Sequence, residues 1–87
     1  MPAAQVGTPE TVVTLPPHSR LMIVYSALEA ESTVVEIQRR AGGTPAGIRR
    51  TLQTLRDRYR VIEQIGGQGR LTVYRRSPGI RVEAAPQ

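Results

Sequence analysis

Apolar and polar positions alternate with helical period over two stretches of this chain and with strand period over a third. From residue 44 onward, Ile48, Leu52, Leu55 and Tyr59 recur at offsets 0, 4, 7 and 11, which places them within about 60° on a 3.6-residue helix. Ala46, Arg50, Gln53 and Asp57 fall on the opposite face, with Arg49 on its flank. Thr44 is placed to cap this helix and Pro45 to open it, where a missing N–H costs nothing. The helix is expected to end near 58–60. Upstream, Val34, Ile37 and Ala41 point one way and Glu36, Arg39 and Arg40 the other. Thr33 and Glu36 form a T-x-x-E capping box, and Gly42-Gly43 stops that helix. Gly47 lacks a side chain on the flank toward the preceding helix, which predicts a close approach of the two axes.

An earlier helix is expected over residues 20–30, capped by Ser19. Leu21, Val24, Tyr25 and Leu28 form its inner stripe, but Met22, Ile23 and Ala27 make the other side apolar too. A helix apolar nearly all round is buried on more than one side. The second cover is either the N-terminal arm or another subunit, and the reading favours the subunit, so a homodimer with Met22, Ile23 and Ala27 at its interface is expected.

After the third helix, VIEQI and RLTVY alternate with period two around the loop GGQG, which predicts a β-hairpin. Val61, Glu63 and Ile65 are set against Ile62 and Gln64, and Leu71 and Val73 against Thr72 and Tyr74, with Leu71 and Val73 anchoring the returning strand and loop 66–69 flexible. Residues 1–17 carry four prolines and read as a mostly flexible arm, in which Thr11–Leu15 is β-rich and either forms a short strand, lies against the body or is plainly disordered. Residues 18–77 read as the folded domain and 78–87 as a tail that adds a little strand or none.

Composition narrows the functional classes. Eighty-seven residues make one small domain with a limited core. The absence of Cys excludes disulfides and thiolate metal sites, and the single His18 has no carboxylate partners at metal-ligand spacing. No cofactor is implied. The seven acids are scattered, and no nucleophile elbow or phosphate loop occurs, so the chain does not read as an enzyme. GGQG lies between strands, without the helix and Lys a nucleotide loop needs. No apolar run reaches membrane-spanning length and no signal peptide is visible, so a soluble, cytoplasmic protein is expected. The net charge of +5 comes from twelve Arg with no Lys. Arg forks onto phosphate or guanine edges bidentately, and a basic balance favours polyanions.

The order of elements resembles the winged helix-turn-helix family over residues 19–76. Leu28 ends helix one, TVVEIQRRAG forms helix two, TPAGIRRTLQTL the third helix, and VIEQIGGQGRLTVY the wing. The chain departs from that pattern at Tyr59-Arg60, where Gly is usual, and in both terminal extensions. The resemblance implies an α+β fold of three helices followed by a two-stranded β-hairpin wing. It also implies sequence-specific binding of double-stranded DNA by a transcriptional regulator or DNA-organising protein, with helix three in the major groove. In that frame Arg49, Arg50 and Gln53 have the donors to read base edges, against the alternative of a solvated helix face. Thr44 and the N–H groups around Ala46 and Gly47 offer a phosphate site, as do Ser32 and Thr33, although simple capping accounts for each. Arg39 and Arg40 either reach the backbone or pair with Glu36. Gln68 and Arg70 stand at the wing tip, over phosphate or minor groove or in an ordinary polar loop. Tyr25, Tyr59 and Tyr74 read as core. The rival function is a protein-interaction module docking a transcription or replication partner through helix one or the arm.

Overall fold

Three helices and five strands form an α+β fold in the computed structural model, which describes residues 11–86. The expectation for the first ten residues of the arm lies outside the described residues. In chain order the elements are β1 (Thr11–Leu15), α1 (Arg20–Ala27), β2 (Ser32–Thr33), α2 (Val34–Ala41), α3 (Pro45–Thr54), β3 (Ile62–Gly66), β4 (Val73–Arg76) and β5 (Ile80–Ala84). A π-helical turn, Leu55–Tyr59, extends α3, and a 3₁₀ turn, Gly69–Leu71, precedes β4. The strands make two sheets. One is antiparallel with order β2-β4-β3, and the other is a parallel pair of β1 with β5.

Capping chemistry sets the helix starts. The Ser19 hydroxyl accepts the Met22 N–H at 3.2 Å and opens α1. Thr33 accepts from the Glu36 N–H while the Glu36 carboxylate accepts the Thr33 N–H, completing the box at α2. Thr44 accepts the Gly47 N–H at 3.0 Å, with Pro45 at the first position of α3. The helix ends are set by tertiary needs as well. α1 stops at Ala27 rather than at residue 30. Leu28 is already extended and fully buried, and Ala30 takes φ +47°. Leaving the axis there brings Ser32 beside Tyr74 of β4. Gly42 and Gly43 end α2 with positive φ. Arg20 donates to the carbonyls of Ala41 and Gly42, supplying a cation and two donors where helix carbonyls lack partners.

Gly47 does not bring α2 and α3 together. It is exposed, and a Cβ placed there would meet only the Thr44 hydroxyl, at 3.1 Å. The small residue leaves room for the helix's own cap.

Ile48, Leu52 and Leu55 on α3 are fully buried and meet Val24, Leu28 and Ile37 in one core. Tyr59 packs on its margin and Tyr25 and Tyr74 within it. Val13 of β1 and Ile80 and Val82 of β5 pack on the same core as Leu21 and Met22 of α1, and Leu15 is fully buried within it. The terminal strands thus supply apolar cover from within the chain.

The hairpin differs from expectation in two ways. It is not two-stranded, because β2 joins β4 through the pairs Ser32↔Tyr74 and Thr33↔Val73. Its inward residues are also exchanged: Thr72 and Tyr74 are buried, Val73 is half-buried, and Leu71 is 66% exposed. Leu71 belongs to the 3₁₀ turn Gly69–Leu71 and not to β4, which starts at Val73, so it does not share the strand's alternation; the facing strand carries a bulge at the same end. Gln64 faces Tyr74 but Gly66 faces Val73, so Ile65 is an extra residue on β3. One extra residue moves each later side chain to the other face of a pleated strand.

Candidate functional site

The exposed side of α3 and the hairpin turn enclose an open cleft of about 300 Å³. Arg49, Gln53 and Arg56 line one wall, and Gly69, Thr72 and Tyr74 the other. Offsets of four and three residues put the first three on one helical stripe. This stripe is rotated from the face opposite Ile48, and it leaves the exposed Ala46 and Arg50 outside the cleft lining. Arg56 is the residue that the sequence reading missed. Its signal is the continuation of the Arg49–Gln53 row by three residues.

Arg56 ties helix to hairpin. Its Nε and Nη2 donate to the Asp57 carboxylate at 2.7 and 3.1 Å, and its Nη1 donates to Gln64 Oε1 on β3. The same contact holds the Asp57 carboxyl below the usual carboxylate range and raises the Arg56 guanidinium.

The residues proposed for phosphate contact separate into two groups. Ser32 is 1% exposed; its hydroxyl donates to the Glu29 carbonyl at 2.7 Å and accepts from Arg40 at 3.0 Å. Arg40 also donates to the Ala27 carbonyl. These two fasten the α1–β2 connection to α2: the Ser32 hydroxyl is buried in internal hydrogen bonds, and Arg40, exposed, spends Nη1 on them and not on an ion pair with Glu36. Thr33 is occupied in the capping box, and Glu36 is held below the usual carboxylate range chiefly by its hydrogen bond from the Thr33 N–H. Thr44 is exposed and caps α3, and the Gly47 N–H that was expected to be free is the one it takes. Arg39 is exposed beside Val35, Gln38 and Gly43.

Gln68 and Arg70 are exposed in the loop between β3 and β4. That loop is braced rather than open. Leu71 N–H donates to the Gln68 carbonyl at 2.9 Å, and the Thr72 N–H and hydroxyl donate to the Gly69 carbonyl at 3.2 and 2.7 Å. Gly67 sits at φ +77°, where a Cβ would lie 2.0 Å from the Leu71 carbonyl oxygen. No other residue fits there.

The twelve arginines divide by role. Arg20, Arg40, Arg56, Arg75, Arg76 and Arg81 are spent on carbonyls or carboxylates, and Arg58 lies over the Tyr59 ring. Among the described residues, the guanidinium groups of Arg39, Arg49, Arg50, Arg60 and Arg70 have no protein hydrogen bond or ion pair. Of the three residues assigned to a dimer interface, Ala27 is buried in its own core, Met22 is half-buried, and Ile23 is 39% exposed. Among the described residues no helix is long and apolar enough to cross a membrane, and no cluster of metal-type ligands occurs.

No protein-family model, no curated protein and no solved structure matches this chain.

Proposed function

We propose that the chain is a non-catalytic winged helix-turn-helix that binds duplex DNA, as a cytoplasmic transcriptional regulator or DNA-organising protein. In this reading α2 and α3 form the helix-turn-helix, α3 enters the major groove, and the β3–β4 hairpin is the wing. The observation that carries it is the shared cleft. Arg49 and Gln53 on α3 and Arg56 on its π-turn face the wing's turn across a gap, and the guanidinium groups of Arg50 on α3 and Arg70 in the turn have no protein partner among the described residues. Arg and Gln side chains on the exposed face of a helix, Arg50 among them, suit base edges, and Arg70 in the wing's turn suits phosphate. Two copies on a palindromic site would meet through the α1 face carrying Ile23.

Salt dependence of duplex binding tests the proposal. Fluorescence anisotropy of a labelled duplex should give a log K that falls linearly with log salt. Three to five phosphate contacts correspond to a slope of roughly −3 to −5. Absence of binding at low salt would overturn the reading and favour the protein-interaction module.

A further inference from the structure

The most exposed large apolar side chain among the described residues is Leu71, at 66%. It lies in the 3₁₀ turn between Gln68 and Thr72. Its neighbours Gly69 and Thr72 line the cleft against α3, and Leu71 does not. An isolated apolar residue on a surface is ordinary. Here, however, the backbone beneath it is fixed. The Gln68 and Gly69 carbonyls take the N–H groups of Leu71 and Thr72, and the Thr72 hydroxyl adds a third bond. Gly67 presses against the Leu71 carbonyl, where any side chain would collide. The turn also rests on α2. Leu71 therefore cannot fold back into the core as a loose loop residue would.

The turn's own residues are suited to a polyanion. From Gln64 to Tyr74 the chain holds no acid, and Arg70, immediately before Leu71, has an unpaired guanidinium. A cationic and an apolar side chain side by side fit a nucleic-acid groove, which offers phosphate to Arg70 and stacked base faces to Leu71.

We infer that Leu71 is a wedge that enters the DNA minor groove and partly unstacks a base step, with Arg70 gripping phosphate beside it. This inference rests on the DNA-binding reading above and adds DNA bending to it. Apolar wedges of this size open base steps and kink duplexes by ~20–90°. The wedge would favour pyrimidine–purine steps, which unstack most readily, and so confer preference without base hydrogen bonds.

The test uses the full chain and duplexes enriched from a random pool. Donor and acceptor dyes at the duplex ends read bending, and 2-aminopurine placed along the wing side reads unstacking by its brightening. Wild-type protein should bend the duplex and brighten one position. Leu71→Ser should abolish the brightening, reduce the bend and weaken binding at least tenfold, while its salt slope stays unchanged. Leu71→Met should retain all three signals. Because the turn is held by backbone groups and Thr72, unchanged circular dichroism and melting of Leu71→Ser are expected. A Leu71→Ser variant that bends and brightens like wild type overturns the wedge. Wild-type binding with a steep salt slope but neither bend nor brightening also overturns it and leaves DNA binding standing. Absence of wild-type binding at low salt overturns both.

Discussion

Arg49 and Arg50 are adjacent in sequence but lie at different places on α3, one lining the cleft and the other exposed outside it. In the proposed DNA complex, Arg50 is thus the better candidate for a base edge. Arg50→Ala should weaken binding to an enriched duplex by ~1–3 kcal/mol and relax preference at one base pair. Anisotropy against matched and scrambled duplexes measures both. Arg70 is assigned to phosphate, which every sequence presents. Arg70→Ala should therefore lower affinity for enriched and random duplex by similar factors, and reduce the salt slope by about one unit. Loss of preference alone would show that Arg70 reads bases. Arg60 carries an unpaired guanidinium while holding φ +57° and ψ +34°, a left-handed conformation that suits Gly. A non-Gly residue there costs roughly 1 kcal/mol. Arg60→Gly should raise the melting temperature and lower duplex affinity; a fall in melting temperature would indicate an unrecognised structural role for the side chain.

At the scale of the element, α2 depends on its first turn. The exposed Glu36 carboxylate accepts the Thr33 N–H and is held below its ordinary range mainly by that bond, with smaller contributions from Arg40 and Arg39. A group whose folded pKa is depressed stabilises the fold above its unfolded pKa and loses that contribution as pH falls through the folded value. Stability should accordingly decline on the acid side, beginning as pH enters the ordinary glutamate range and continuing down to the lower folded value. Glu36→Gln keeps an acceptor but removes the titration, so urea midpoints measured across that range should vary less with pH than in wild type. An unchanged acid limb would assign the decline to Asp57 or the other carboxylates. In α3 the element is coherent for a different reason: its buried stripe runs without interruption from Ile48 through Leu55, and the π-turn carries Tyr59 to the core margin.

For the whole molecule, the two chain ends close the core. β1 and β5 pair in parallel from Thr11↔Ile80 to Leu15↔Ala84, and Leu15 is fully buried beneath α1's start. Truncating a buried Leu removes its transfer energy and leaves a cavity, at a cost of ~2–5 kcal/mol. Leu15→Ala should lower the urea midpoint accordingly, although residue 15 falls in a segment whose composition suggests an arm. If the midpoint stays where it is, the terminal pair does not contribute to the core. The same pairing supplies intrachain cover beside α1, where a second subunit was expected from sequence.

Local signals settled much of this protein. The caps at Ser19, Thr33 and Thr44, the Gly42-Gly43 stop and the Ile48–Leu52–Leu55 stripe are all legible because each depends on residues three or four positions apart. The mixed α+β class follows from the change of period after residue 60. What tertiary structure decided is every pairing between distant segments. Nothing local in Thr11–Leu15 names β5 as its partner, some seventy residues away. Ser32 looks like a surface polar residue until β2 docks on β4 and its buried hydroxyl takes a hydrogen bond from Arg40. Leu71 faces solvent because it falls in a 3₁₀ turn before β4, and where that turn gives way to strand depends on how β3 and β4 meet. Arg56 joins Arg49 and Gln53 in a site because the hairpin lies across from that stripe of α3. Helical period and capping are properties of neighbouring residues, whereas strand partners and buried polar contacts arise only when the chain closes on itself.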